Sequence, residues 1–226
     1  MRRLSPYFTR LLLHTPLSAN VVTGSMAVVG LAAAGLLSVP GVVPALGAVL
    51  LIQIQLLLDC SDGELARVRG ESSPAGIYLD RIAHYFTEAA VPIGLGIRAD
   101  GGWDSLGGWT TLGCLVALLG LLIKSETVLV TVARAEAGRP RAVDSEAMAA
   151  PRGGLLRRVR RAMGMLPFYR AFVAVEASLL AFAAAIADAA VGDEKGSRVL
   201  LIALLPVGFV TLAGHLVAIL ASDRLR

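Results

Sequence analysis

Two short acidic stretches interrupt the apolar first half of the chain. The first reads DCSDGELAR (residues 59–67) and directly follows an apolar block at about 41–58. The second reads GIYLDRIAH (residues 76–84) and opens the next apolar block, at about 76–97. Ionisable groups at the edge of a membrane span are costly to keep there and usually have a function. Residues 59–84 are therefore expected to decide both the fold and the chemistry.

The spacing of the ionisable residues predicts two reactive helix faces. Asp59 and Asp62 are three residues apart, and Asp80 and His84 are four apart. Residues at these separations lie on one face of an α-helix. If residues 68–75 connect two antiparallel helices, both faces can meet around one point.

Such a cluster predicts a metal site. Clustered carboxylates cannot all stay ionised without a cation nearby. Oxygen-rich clusters suit Mg²⁺ or Mn²⁺, which also bind phosphates. We therefore expect a metal-assisted transfer of a phosphate-linked group at a site made by Asp59, Asp62, Asp80 and His84. Small, hydroxyl-bearing or cationic neighbours that would receive the phosphates are Gly63, Ala66, Arg67, Ser73 and Gly76.

The rest of the chain consists largely of apolar blocks. Its 226 residues have a mean hydropathy of +0.71, with 56% hydrophobic and 17% charged residues. Soluble domains average about 45–50% apolar and about 25% charged residues, and a spanning helix needs about 20 mostly apolar residues. Six blocks meet that description, at about 20–38, 41–58, 76–97, 109–133, 168–190 and 198–221. The sequence predicts an all-α integral membrane bundle of six transmembrane helices, forming one domain over residues 1–226.

Arginines indicate the orientation of this bundle. They cluster near both termini, after the second apolar block and in a basic segment at residues 135–166. Short cytoplasmic loops carry such an excess. We expect a multi-pass protein of the cell's inner membrane with both termini, the basic loop (including a short helix at 155–163) and the site facing the cytoplasm. The net charge of +4 fits this topology, and no interleaved aromatic residues indicate a nucleic-acid partner.

Residues 1–16 are expected to form a juxtamembrane arm. Within it, residues 4–14 have the pattern of a short amphipathic helix lying on the membrane surface. Arg3 and Arg10 would contact lipid headgroups. The residues expected to face lipid are Leu4, Phe8, Leu11 and Leu12.

Residues 59–84 resemble the signature of the CDP-alcohol phosphotransferase family, D-x2-D-G-x2-A-R-x8-G-x3-D-x3-D. Seven of its eight fixed positions match at the right spacing, namely Asp59, Asp62, Gly63, Ala66, Arg67, Gly76 and Asp80. Asn20 and Thr23 are similar to the family's N-x-x-T element, which helps to hold the cytidine diphosphate. Capping of the first helix is the simpler explanation of these two residues.

The resemblance implies transfer of a phosphatidyl group from a CDP-alcohol, with CDP-diacylglycerol as the expected donor, to an acceptor hydroxyl with release of CMP. It implies Mg²⁺ or Mn²⁺ as the cofactor and a lipid bilayer as the environment; a homodimer is compatible with the sequence. The residues expected around the CDP group are Asn20, Thr23, Gly63, Ala66, Arg67, Ser73 and Gly76. The acceptor stays open among a glycerol phosphate, an inositol phosphate, serine and a sugar alcohol.

His84 stands where the family has its fourth aspartate, a metal ligand and the proposed general base. Imidazole accepts a proton near neutral pH and binds metals, but it has no second oxygen to bridge two cations. Three consequences stay open: His84 acts as the base, the second metal is weak or absent, or transfer activity is lost. The last is the rival reading of a non-catalytic CDP-lipid-binding protein. A transporter is less favoured, because the charges lie near one membrane face.

Polar residues outside the motif allow simpler interpretations. Glu88, one turn after His84, either orients the imidazole or makes an ordinary polar contact. Lys124 and Glu126 could pair with each other. His215 is expected to be a lone histidine, without the spacing of a metal site.

Overall fold

Most of the residues that this computed structural model describes are helical, and none of them forms a strand. The described residues are residue 1, residues 3–140, residues 168–222 and residue 225. Two short 3₁₀ helices, Trp103–Ser105 and Phe168–Phe172, accompany the α-helices. The α-helices are α1 (Ser5–Leu13), α2 (Ala19–Leu37), α3 (Val42–Arg69), α4 (Pro74–Ala99), α5 (Gly108–Glu136), α6 (Ala174–Val191) and α7 (Lys195–Leu220). The predicted all-α membrane bundle is confirmed. Residues 141–166 of the expected basic loop, including the helix at 155–163, lie outside the described residues.

Among the described helices, five are long and apolar enough to cross a membrane, namely α2, α3, α5, α6 and α7. The sixth predicted span corresponds to α4, which is 26 residues long but more polar, because it carries Asp80, Glu88 and Arg98. α4 packs against α2, α5, α6 and α7. These neighbours can shield its polar side chains from lipid, which explains how such a sequence can be part of a membrane bundle.

The α3–α4 hairpin carries both halves of the signature. α3 continues past its apolar block to Arg69, and Gly70 ends it in the left-handed conformation with φ +67°. Ser73 then caps α4, because its Oγ accepts a hydrogen bond from the Gly76 N–H at 3.1 Å. The connection is therefore short, and it places the end of α3 beside the start of α4, as the spacing predicts.

α2 holds the two helices of this hairpin apart. It packs along both α3 and α4, whose backbones make few close approaches to each other. At Gly30, an added Cβ would collide with the Thr87 hydroxyl and lie 2.9 Å from Gln55 Nε2. The missing side chain lets Gln55 of α3 donate a hydrogen bond to Thr87 of α4 at 2.7 Å across α2. The signature thus borders a cleft between α3 and α4, rather than a tightly packed helix pair.

Glycines bring the other helix backbones close together. A Cβ at Gly94 would lie 2.5 Å from the carbonyl oxygen of Ala34, which places α4 directly on α2. A Cβ at Gly113 would lie 2.5 Å from the carbonyl oxygen of Pro92, so the backbones of α5 and α4 are also in direct contact. Small residues at helix contacts are typical of membrane bundles, where close van der Waals packing replaces the hydrophobic effect as the driving force.

The predicted surface helix is present as α1, but its orientation differs in part from the prediction. Tyr7 and Leu11 are 77% and 63% exposed, and Leu4 is also exposed. Leu12 is buried, and Phe8 packs against the cluster to which it belongs, so neither faces lipid as expected. The helix rotates because its polar residues Ser5 and Thr9 are buried against α3.

The far end of the bundle is closed by a buried arginine. Arg98, at the end of α4, is 1% exposed. Its Nη1 donates hydrogen bonds to the carbonyl oxygens of Val39 and Gly41, between α2 and α3. Its Nε lies 3.2 Å from Ser197 Oγ and 3.4 Å from Asp188 Oδ2. One side chain therefore ties together four helix ends.

Candidate active site

Three ionisable side chains of the signature converge in the cleft between α3 and α4. His84 Nε2 lies 3.0 Å from Asp59 Oδ1 and 3.6 Å from Asp80 Oδ1. One ligand atom of each residue falls within 4.8 Å of the others. This separation allows the three atoms to contact one ion at ordinary ligand distances of about 2.0–2.6 Å. The expected meeting of the two helix faces is thus observed for these three residues.

Asp62 is placed differently. It is buried, with 7% of its surface exposed, and it is not in the group formed by the other three residues. Its Oδ2 accepts a hydrogen bond of 2.5 Å from the Thr23 hydroxyl of α2. Its Oδ1 accepts one of 2.6 Å from the Gly63 N–H. In the structure, the Asp62 carboxylate contacts α2 and its own helix α3. A role of Asp62 as a metal ligand remains a prediction.

The N-x-x-T element lies beside the signature. A Cβ at Gly76 would be 3.1 Å from Asn20 Oδ1, so the start of α2 meets the start of α4. Thr23 bonds Asp62, and its hydroxyl also approaches the Ala19 carbonyl oxygen at 3.0 Å. Neither Asn20 nor Thr23 caps the helix, because Ser18 is the N-cap residue of α2. The simpler explanation by capping is therefore wrong.

The remaining signature residues follow the end of α3. Gly63 leaves space for Arg67, whose Nη1 would lie 3.3 Å from a Cβ at that position. Arg67 is exposed. Ala66 packs against the apolar cluster beneath α1, beside Leu12 and Leu65. Ala66 is therefore small for close helix packing, whereas Gly63 and Arg67 form an open, positively charged surface next to the cleft.

Three polar partnerships were missed or misassigned from the sequence. Lys124 Nζ contacts Glu88 Oε2 at 2.7 Å instead of pairing with Glu126. Glu126 lies 2.8 Å from His215 Nδ1, so the prediction of a lone His215 is wrong. Glu88 contacts Lys124, and the carboxylate at hydrogen-bond distance from His84 is Asp59. These partners belong to different helices, and the spacing within one helix does not reveal them.

The third partnership involves Glu64, inside the signature but not among its fixed positions. The Ser5 hydroxyl donates to Glu64 Oε1 at 2.6 Å, and the Thr9 hydroxyl donates to Oε2 at 2.7 Å. Ser5 and Thr9 are four residues apart on α1, which places both hydroxyls on one helix face. That spacing was the only available signal for this contact.

The protein belongs to a class that its helical fold, its splayed α3–α4 hairpin and its acidic cleft define together. Members of this class are multi-pass membrane proteins with a carboxylate–imidazole site at one end of the bundle. The family model for CDP-alcohol phosphatidyltransferases matches residues 17–221. The chain therefore belongs to the CDP-alcohol phosphatidyltransferase family. A search of curated proteins finds no match.

Membership in this family assigns the general chemistry. The family transfers a phosphatidyl group from a CDP-alcohol to a hydroxyl acceptor in phospholipid synthesis, and it generally depends on a divalent metal. The cleft fits such an ion, because two carboxylates and an imidazole nitrogen converge there within 4.8 Å. Carboxylate and imidazole donors are suitable ligands for divalent cations.

Proposed function

We propose that the protein transfers the phosphatidyl group of CDP-diacylglycerol to a small hydroxyl acceptor and releases CMP. The observation that carries this proposal is the convergence of Asp59, Asp80 and His84 in an open cleft beside Asn20 and Gly76. The acceptor remains open among the polyol phosphates, serine and sugar alcohols.

The residues divide into three roles in this proposal. Asp59, Asp62 and Asp80 would hold Mg²⁺ or Mn²⁺, whose chemistry is to neutralise charge on the donor diphosphate. The acceptor oxygen attacks the phosphorus that bears the lipid, the bond from that phosphorus to the CMP oxygen breaks, and His84 takes the acceptor proton. The CDP group would be received by Asn20, Thr23, Gly63, Arg67, Ser73 and Gly76, whereas Ala66, expected from the sequence to take part, packs against the apolar cluster beneath α1.

His84 can serve as a base or as a metal ligand, but one neutral ring cannot do both at once. If Nε2–H donates to Asp59, Nδ1 carries the lone pair and can accept a proton. If Nε2 binds the ion, the proton moves to Nδ1, which then cannot act as a base. The 3.0 Å contact between Nε2 and Asp59 Oδ1 supports the base role, with Asp59 orienting the ring as the carboxylate does in other histidine-based catalysts.

The test is CMP release by the purified protein with CDP-diacylglycerol, screened over acceptors in Mg²⁺ and in Mn²⁺. For the His84→Ala variant we expect loss of CMP release with Mn²⁺ binding retained, as followed by electron paramagnetic resonance. The His84→Asp variant should recover turnover. Loss of Mn²⁺ binding in His84→Ala would instead assign His84 as a ligand. Absence of CMP release from both the unmodified protein and His84→Asp would favour the non-catalytic reading.

We also propose that the site faces the cytoplasm of a cell whose inner membrane holds the protein. Arg3, Arg10, Arg67 and Arg69 lie at the same end of the bundle as the cleft, as expected for a cytoplasmic surface. In a variant whose native Cys60 and Cys114 are replaced by serine, the Ser145→Cys substitution tests this. An impermeant maleimide should label that cysteine only after cells are opened. Labelling in intact cells would reverse the topology.

A further inference from the structure

A groove separate from the acidic cleft lies between α1 and the end of α3. Its volume is about 340 Å³. Leu13 and Val68 contribute apolar surface, and Arg10 and Arg67 contribute positive charge from opposite sides. The signature accounts for Arg67 alone among these residues, and the family match starts only at residue 17.

The groove has an excess of positive charge. Within the described part of the chain, neither Arg10 nor Arg67 has an ion pair, and both are exposed. The carboxylate in the groove wall is that of Glu64, and both of its oxygens already accept hydrogen bonds from Ser5 and Thr9. Glu64 attracts Arg67 electrostatically, but its oxygens are occupied by the two hydroxyls. Both guanidinium groups therefore keep N–H donors for an anion, for which their planar geometry is well suited.

The position of α1 places this groove at the membrane surface. Leu4, Tyr7 and Leu11 point away from the protein and are 58%, 77% and 63% exposed. A helix with such a face lies at the boundary between headgroups and acyl chains. The guanidinium groups thus open at headgroup depth, next to the apolar surface that a lipid also requires.

We propose that this groove binds the headgroup phosphate of an anionic phospholipid between Arg10 and Arg67, with the adjoining part of the lipid against Leu13 and Val68. A bound lipid would hold α1 against α3, since α1 contributes Arg10 and Leu13 while α3 contributes Arg67 and Val68. The groove shares Arg67 with the residues proposed to receive the CDP group, but binding of the lipid itself requires no reaction. Arg67 borders both the signature and the groove, whereas Arg10 belongs to the groove alone.

Arg10→Gln is therefore the decisive variant, with Arg3→Gln as its matched control on the same arm. The purified protein is exchanged into micelles containing phosphatidylglycerol and phosphatidylcholine, without donor, and native mass spectrometry counts the retained lipids. We expect preferential retention of phosphatidylglycerol by the unmodified protein. Arg10→Gln should weaken it about tenfold or more, because a hydrogen bond to a charged group contributes about 1.5–3 kcal/mol. Arg3 lies outside the groove, so Arg3→Gln should lose at most the roughly fivefold general attraction of one basic residue to an anionic surface.

Several outcomes would overturn the site. Equal retention of phosphatidylglycerol by Arg10→Gln and Arg3→Gln would exclude Arg10 as a ligand. Equal retention of phosphatidylcholine would exclude recognition of an anion. Displacement of phosphatidylglycerol by soluble glycerol phosphate would identify a free phosphate site, and one-for-one displacement by CDP-diacylglycerol would make the groove part of the donor site. Equal melting temperatures of the variants in phosphatidylcholine alone would show that a loss of phosphatidylglycerol retention does not come from misfolding.

Discussion

The two ends of the bundle treat their charged residues in opposite ways. At the far end, Arg98 is almost fully buried and is surrounded by acceptors, among them Asp188. At the signature end, Asp59 and Asp80 lie near each other, and the imidazole of His84 contacts both. No lysine or arginine of the described residues makes an ion pair with either. A buried charge that has its partners is costly to leave unpaired, so removing one partner destabilises the fold. Clustered like charges with an open side are instead typical of a ligand or metal site.

Charged residues occur in a membrane helix for two different reasons, to form a ligand site or to pair with buried partners, and α4 contains both kinds. Its first turns carry the residues of the cleft, and its last turn carries Arg98. The hydropathy of α4 is lowered by both groups in the same way. Their partners distinguish the two groups: Arg98 donates from Nε and Nη1 to surrounding acceptors, whereas Asp80 and His84 face a cleft.

The largest expected effect comes from Asp59→Asn. We expect CMP release to fall about a thousandfold or more, because a bound ion contributes several kcal/mol to phosphoryl transfer, and we expect the melting temperature to be retained. Activity assays and thermal unfolding in detergent measure the two quantities. Asp104→Asn, which changes an exposed carboxylate at the far end, is the control and should change neither. A large loss of stability in Asp59→Asn would make the cluster structural and remove the contrast between the two ends.

Arg98→Met should have the opposite profile. Removing one member of a buried charge pair costs about 3–5 kcal/mol, since the remaining carboxylate is left uncompensated. We expect a strongly lowered melting temperature, with any folded fraction keeping its KM for the donor. Lys195→Met is the control at the same end, because Lys195 is exposed; an exposed substitution of this kind should change stability by at most about 0.5 kcal/mol. Similar melting temperatures for both variants would contradict a special role of Arg98.

Thr23→Val tests the role of Asp62. This carboxylate belongs to the signature, but it is buried and hydrogen-bonded like the charged residues of the far end. Loss of the hydroxyl leaves the buried Asp62 with the Gly63 N–H alone, and a hydrogen bond to a charged group contributes about 1.5–3 kcal/mol. We expect a lower melting temperature and slower CMP release. Thr23→Ser keeps the hydroxyl and should restore both. If Thr23→Val resembles the unmodified protein in both measurements, the bond to Asp62 has no role.

The smallest expected effect concerns Glu194 at the far end. Burial, together with a hydrogen bond to Asp188, raises the pKa of Glu194 from 4.5 to about 7. The folded state therefore binds a proton that the unfolded state has lost, and stability falls as the pH rises from about 4.5 to about 7. Glu194→Gln should raise the melting temperature at pH 8 and leave it nearly unchanged at pH 5. A difference that does not depend on pH would contradict this explanation.

The prediction of the α3–α4 hairpin is confirmed, for reasons that are local. Asp80 and His84 share a helix face because of their spacing, and Gly70 and Ser73 are typical helix-ending and helix-starting residues. The prediction for α1 was less accurate. Leu12 was expected to face lipid because it is apolar, but Ser5 and Thr9 find an acceptor in Glu64 and rotate the helix toward α3.

The membrane class, the helical fold, the family signature and the pairs of residues that share a helix face could all be predicted from the sequence, because they follow from composition and from the period of one helix. The tertiary structure decided which faces meet. α2 holds α3 and α4 apart, turns Asp62 toward Thr23 and leaves Asp59, Asp80 and His84 in the cleft. Likewise it pairs Lys124 with Glu88 and Glu126 with His215. Such choices depend on the rotation and separation of neighbouring helices, and no spacing along one helix contains that information.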